Sequence, residues 1–276
     1  MATYVETRDR KILIDPGAHL APTRFTLNPH PLEKFMLKTH LERIELYARS
    51  CQIIIIPHYP DHHFISNRVH LFCDKKILMK NPNPVIDRDQ RRIAFQVLRS
   101  IHEAQGEVSY VDDHTLSSGE TRLSFSPVLP SRQDEKGPGV IITTIQDEED
   151  CFVFSSEVRG LFTDSQRDYI IEQKPTFLYL DGPVSYSDQS GIQKSSLQPC
   201  LSRIQTVIEE TCLKTLLLDH HLIRDPFWSS RIDSIVKRCH HKGVELITAA
   251  EFRGQDINAL ESRRSELYKN HPLEEF

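Results

Sequence analysis

Four consecutive isoleucines, Ile53 to Ile56, followed by Pro57 and a histidine-rich loop, constrain this chain more than any other stretch. A short β-branched run of this kind fills a strand buried on both faces. Pro57 ends the strand, because proline has no amide proton to give a neighbour. His58, Asp61, His62 and His63 then fall on a loop at the strand's C-terminal end. Imidazoles and a carboxylate this dense at the mouth of a buried strand suit a metal ion. A polar surface loop with chance histidines explains the same stretch equally well, and the stretch alone does not separate the two.

The rest of the chain supplies helices and further strands. Residues 11–15 (KILID) read as a strand closed by the turn Asp15-Pro16-Gly17. A helix is expected from about Leu32 to Arg49 and another from Arg88 to Ala104, where Ile93, Val97 and Ile101 recur on one face and Gly106 stops it. Residues 64–80 carry no clear pattern. Strands at 107–111, 121–126, 139–145 and 151–155 read as antiparallel β-structure. A helix over 165–173 leads to strand 176–181, ended by Asp181-Gly182-Pro183. Leu201, Ile204 and Ile208 mark a helix before strand 214–218. A helix through Ile232, Ile235 and Cys239 closes at Gly243 before strand 244–248. A last polar helix contains Leu260 and Leu267. The mixture predicts layered sheets with helices outside and no linker dividing the chain, so one domain over 1–276.

Composition excludes more than it selects. A formal charge of −5 gives no reason to expect nucleic acid as an obligatory partner. No apolar run approaches the roughly 20 residues of a membrane helix, and the N-terminus has no apolar signal segment. Six cysteines include no CxxC pair; Cys51, Cys151 and Cys212, in or beside apolar runs, are expected as buried, reduced thiols of a cytoplasmic protein.

A second dense point is Leu216–Trp228, where another apolar strand runs into Asp219-His220-His221, with Arg224 and Asp225 beyond. A structural His–Asp pair would account for Asp219-His220 taken alone. Two strands delivering histidine and carboxylate at their C-terminal ends point instead to the edge where layered α/β folds assemble sites.

The segments MATYVET, KILIDPG, HYPDHH, LSFSPVLP, FVFSSEVRG, LDGP, DHHLIRD and ALESRRSELY span nearly the whole chain. In this order they resemble the metallo-β-lactamase fold superfamily, and within it an uncharacterised prokaryotic family of predicted metal-dependent hydrolases. The resemblance implies an α/β fold, an αββα sandwich of two mixed β-sheets with helices outside. It also implies that a first edge strand normally precedes the segment at which this chain begins.

The superfamily's HxHxDH loop gives two histidines to one metal and an Asp and a His to a second. Carried onto this chain, Asp61 and His62 match the second-metal pair. His58 matches the first histidine only across a one-residue deletion, and Tyr59 or Pro60 stands where the second would be. Ser131 takes the place of a later histidine, Glu157 that of the bridging aspartate, and His220 that of the last ligand. The losses gather on one metal position. The resemblance therefore implies at most one divalent ion, zinc first and manganese or iron next, held by Asp61, His62, His220 and Glu157 with His58 as a marginal fifth.

Asp61 and Glu157 would carry the chemistry, and His221 and Arg224 would contact an unknown small-molecule or phosphodiester substrate. The expected activity is hydrolysis of an ester, lactone or phosphodiester. A catalytically silent binding or interaction protein without metal is the competing reading. A third reading lets His63 or His221 replace the missing histidines.

Overall fold

The computed structural model describes residues 1–59, 69–83, 88–131, 139–186 and 197–272. Its first sheet contains β1 (Thr3–Glu6), β2 (Lys11–Ile14), the isoleucine strand β3 (Ile53–Ile56), β4 (Lys76–Met79) and β5 (Glu107–Tyr110), in that order. β1 pairs antiparallel with β2, and all the other pairs are parallel. Parallel returns need crossovers, and two of the three are made by helices, α1 (Pro31–Ser50) before β3 and α2 (Arg88–Glu103) before β5. The expectation of an antiparallel strand at 107–111 fails for this reason: α2 carries the chain back parallel to β4.

The second sheet has seven strands. β6 (Thr115–Ser118), β7 (Thr121–Phe125), β10 (Thr143–Gln146) and β11 (Cys151–Phe154) form its antiparallel half, while β12 (Phe177–Leu180), β13 (Thr215–Leu218) and β14 (Glu245–Ile247) extend it in parallel beside β11. A two-residue ladder, β8 (Leu129–Pro130) with β9 (Gly139–Val140), lies apart, so the run expected as one strand over 139–145 is two. Two mixed sheets are thus present, as the αββα resemblance implies.

The isoleucine run shows why both faces had to be apolar. Ile53 and Ile55 enter the layer between the sheets with Ile12, Ile14, Leu78, Phe154, Tyr179 and Leu217. Ile54 and Ile56 turn the other way, onto Ile44 of α1 and Ile93, Val97 and Ile101 of α2. A third apolar cluster joins Leu178, Leu180, Leu216 and Leu218 to α3 (Asp164–Gln173), α4 (Leu197–Glu210) and the helix Asp233–Lys242. Helix, sheet, sheet, helix is thus the order of the layers.

Local signals account for several boundaries. His30 caps α1, its ring accepting from Leu32 N while Glu33 accepts from His30 N, and Pro31 opens the first turn. α2 leaves its last turn through Gln105 at φ 56°, one residue before the glycine expected to stop it. Gly243 is left-handed at the end of Asp233–Lys242, as predicted. All six cysteines are free; Cys51 and Cys151 are buried, but Cys212 is exposed, since it follows α4 before the strand begins. No helix among the described residues is long and apolar enough to cross a membrane.

Candidate metal centre

Five parallel strand ends meet at one edge of the sandwich. β2 is followed by Asp15, β3 by Pro57-His58, β11 by Ser155-Ser156-Glu157, β12 by Asp181 and β13 by Asp219-His220-His221. Asp15, His58, Ser156, Glu157, Asp181 and His221 are all buried there.

Glu157 is the hub. Its Oε2 lies 2.9 Å from His58 Nε2, and its Oε1 lies 3.4 Å from His221 Nε2 and accepts from Arg159 Nη2 at 3.2 Å. The other His58 nitrogen, Nδ1, is 3.1 Å from Ser156 Oγ, which itself donates to Asp15 Oδ2 at 3.3 Å. Ser156 Oγ thus bridges Asp15 and His58 Nδ1, and the other ring nitrogen, Nε2, faces the Glu157 carboxylate, to which only an Nε2–H can donate. His221 Nε2 is also 3.8 Å from Asp181 Oδ2, while its buried Nδ1 has no hydrogen-bond partner among the described residues.

The backbone around this hub is held in unusual conformations. Ser156, Arg159 and Leu161 all have positive φ, at 57°, 52° and 67°, and so does Gly160 at 80°. Such residues persist only where surrounding contacts over-determine them, and they concentrate at sites. Here the Asp181 carboxylate accepts from Arg159 N at 2.7 Å and Gly160 N at 3.2 Å, and Asp181 O accepts from His221 N at 2.9 Å. A Cβ at Gly160 would stand 2.4 Å from Pro183 N. The post-β11 loop, the Asp181-Gly182-Pro183 turn and the histidine pair therefore interlock.

Burial and neighbours set the charges. Burial by itself pushes the Glu157 carboxyl up, but contacts with His221 and His58 overrule it and hold the group well below the usual range. Burial pulls His221 down to about 4, outweighing the nearby Glu157, so the ring is neutral at pH 7 and in the form that binds metals. Burial raises Asp181 well above its usual value despite the two amides, and raises Asp15 to about 6 despite His58.

Desolvation is the largest cause of the two rises, and a divalent cation placed among these groups would oppose it. Neutral imidazole nitrogens and carboxylate oxygens, without thiolate, form a donor set fit for zinc, manganese or iron. Among the described residues no group of three or more His, Cys, Asp or Glu side chains stands at metal-binding spacing.

The sequence-predicted residues are placed unevenly. His58, Glu157 and His221 come together. His220 adjoins them, its ring centroid 4.5 Å from that of His221, at a left-handed φ of 46°. Its partner in sequence, Asp219, accepts from the backbone of His220 and Ala249 and so shapes the turn. Arg224 stands at the rim, 3.5 Å from Glu261 rather than on its neighbour Asp225, which bonds Ser185 and Arg231. Asp61 and His62, with His63, lie outside the described residues. Sequence reasoning missed Asp15, Ser156, Arg159 and Asp181. The signal for two of them was present: KILID and FLYLD each end a buried apolar strand in aspartate, as LLLD does before the histidine pair.

Comparison with known proteins gives the family and the fold. A UPF0282 protein of Korarchaeum cryptofilum is 33% identical over 276 residues, covering 100% of this chain and 92% of its own length. One from Methanocaldococcus jannaschii is 32% identical over 287 aligned positions, covering 100% and 94%. The chain belongs to the UPF0282 family. No protein-family model matches it. Similar solved structures include CmlA, a diiron beta-hydroxylase from Streptomyces venezuelae, at TM-score 0.53 and 13% identity over 90% of this chain and 51% of that one. An isothiocyanate hydrolase from Delia radicum gut bacteria matches at TM-score 0.52 and 11% identity over 91% and 93%. Yeast PDE1 matches at 0.52 and 10% over 87% and 89%. At these identities the likeness is one of fold.

Proposed function

We propose that this UPF0282 chain, acting as one domain, is a metal-dependent hydrolase with a mononuclear site that cleaves an ester, lactone or phosphodiester. The observation that carries the reading is the buried Glu157 carboxylate, faced by His58 Nε2 on one oxygen and His221 Nε2 on the other, at an edge where burial also pushes up Asp181. The presence of this fold in an isothiocyanate hydrolase and a diiron hydroxylase supports it by analogy. Asp61, His62, Glu157 and one of the pair His220 and His221 would hold the ion, zinc in the first instance. When bound, a divalent ion supplies Lewis acidity and lowers the pKa of water.

The chain's own residues do the rest. Glu157, kept ionised, is the proton acceptor for an attacking water. His58 orients that carboxylate and is itself oriented by Ser156 and Asp15. His221, neutral at pH 7, presents a nitrogen rather than a charge. Arg159 holds the second Glu157 oxygen and flanks the place where negative charge develops.

The test is metal analysis of purified protein alongside ester hydrolysis. About one ion per chain is expected, lost in Asp61→Ala and in a His220→Ala/His221→Ala double variant, with kcat in Glu157→Gln down about 100-fold or more. The competing reading, a silent binding protein, is favoured by the loop interrupted at Pro60. Protein without metal above background would establish that reading, and two ions per chain would contradict the mononuclear site.

A further inference from the structure

The histidine pair rides on a turn that is pinned at several points, one of them from a distant part of the chain. Within the turn, Leu222 N donates to Asp219 O and Asp225 N to Leu222 O, both at 3.0 Å, and His220 is left-handed. The Asp219 carboxylate fixes its start, accepting from His220 N at 2.6 Å and Ala249 N at 2.8 Å. The His221 N bond to Asp181 O fixes its middle. Its far end is fixed twice, by Ser185 Oγ donating to Asp225 at 2.7 Å and by Arg24, whose Nη2 donates to Arg224 O at 2.8 Å. Asp219, Asp181 and Ser185 all belong to the strand ends or the turn that follows β12. Arg24 does not: it lies 200 positions from Arg224, on the loop between β2 and α1.

That loop presents one side chain to the turn and is itself firmly held. The Arg24 side chain is nine-tenths buried, its guanidinium 4.5 Å over the Tyr186 ring and its Nη1 3.6 Å from Glu261 Oε1. The same Glu261 oxygen stands 3.5 Å from Arg224 Nε, so one carboxylate gathers both arginines. Arg24 and Leu27 bond one another in both directions across Phe25 and Thr26, which have φ of 52° and 63°. Two successive left-handed residues, neither of them glycine, persist only where their surroundings over-determine them. Arg264 provides this by donating to Ala21 O and Leu27 O, and Tyr268 by donating to Asn28 O. The C-terminal residues thus hold the loop, the loop holds Arg24, and Arg24 holds the end of the histidine turn.

Resting on the hydrolase reading, we propose that Arg24 is a positioning residue of the candidate centre, setting through Arg224 O where the His220–His221 pair stands against Glu157. It acts on the backbone and not on the reacting atoms. A misplacement of about 1 Å at a catalytic group can cost about a hundredfold in rate. Releasing one end of the turn should therefore show in metal affinity and kcat while KM stays near its wild-type value.

The test reads the turn and the centre separately. Amide hydrogen exchange is followed in metal-free wild type, Arg24→Met, Arg24→Lys and Tyr268→Phe. Zinc is then titrated calorimetrically, and turnover of 4-nitrophenyl acetate and bis(4-nitrophenyl) phosphate is measured. In Arg24→Met the His221, Leu222 and Asp225 amides should exchange about tenfold faster or more, with the Thr7–Arg10 hairpin unchanged. Zinc affinity and kcat for the substrate that wild type hydrolyses should each fall about tenfold or more. Arg24→Lys, which keeps the charge but reaches only one of its two oxygen partners at a time, should fall between, and serves if the methionine variant does not fold. Tyr268→Phe, which leaves Arg24 its partners, should match wild type. Unchanged exchange at the turn in Arg24→Met overturns the proposal. Faster exchange with zinc affinity and kcat intact also overturns it, while sparing the hydrolase reading. Faster exchange in a protein whose wild type binds no zinc and hydrolyses neither compound supports the clamp and overturns the hydrolase.

Discussion

Two buried clusters of charge in this protein look alike by composition and differ in how their charges are met. Glu33 and Arg264, both almost wholly buried, satisfy one another: Arg264 gives Nε and Nη2 to the Glu33 oxygens at 2.8–3.2 Å and its remaining donors to Leu27 O and Ala21 O. Glu33 also caps α1 through His30 N. At the strand-end edge, by contrast, Asp15 and Asp181 are pushed up by burial and His221 Nδ1 lacks a partner among the described residues. A buried charge set that closes on itself is architecture. One whose carboxyls burial pushes up, at the ends of converging strands, is a candidate site.

That contrast can be broken at either cluster. The largest effect should come from Arg264→Met, which leaves Glu33 buried and unpaired; a loss of about 3–5 kcal/mol is expected, read from the urea midpoint. Replacing both partners, with Glu33→Gln added, should recover part of it. If the single variant unfolds at the wild-type midpoint, the pair is not structural.

Gly160→Ala comes next. Its Cβ would meet Pro183 backbone at a φ of 80°, so about 3 kcal/mol should be lost, and metal binding should fall with it because the Arg159 and Gly160 amides that donate to Asp181 shift.

Asp15→Asn should act in the opposite direction. The folded-state pKa of about 6 lies above the unfolded value of 3.8, so ionisation of Asp15 opposes folding. Its favourable contribution is complete below about pH 4 and is lost as pH rises through 6, an effect of up to about 3 kcal/mol. Metal-free Asp15→Asn should therefore be more stable than wild type at pH 7.5, with the gain vanishing by pH 4. A variant less stable at both pH values would place Asp15 with the architectural charges. The smallest change is expected from Arg263→Gln, next to Arg264 in sequence but in an exposed pair with Glu266: within about 0.5 kcal/mol by thermal melting.

Much of this was legible beforehand, and the failures have identifiable causes. The isoleucine run and the DHH strand announced the edge, because two-faced burial leaves an uninterrupted apolar pattern and the chemistry follows at its end. The strands at 3–6, 76–79 and 115–118 were not read. Lys76–Met79 is a four-residue strand at the end of a stretch without a clear pattern and Thr115–Ser118 is a mostly polar edge strand, and short and edge strands need not alternate cleanly. Glu157 and His221 were singled out from the sequence, but Asp15 and Asp181 passed as turn residues beside Pro16-Gly17 and Gly182-Pro183. Their role depends on five strand ends converging, which is a property of the tertiary fold. Arg159 was hidden for the same reason. Its reach back to Glu157 requires the left-handed run from Ser156 to Leu161, and no local sequence signal calls for positive φ at a serine, an arginine and a leucine.

The most direct measurement is thermal unfolding of metal-free protein titrated with zinc, with bound ion counted in the same samples. The account predicts saturation near one ion per chain and stabilisation of about 2.7 kcal/mol at a hundredfold excess over Kd, abolished in Glu157→Gln. An unchanged melting temperature with no ion retained would contradict it, and the buried acids at the strand ends would need another role.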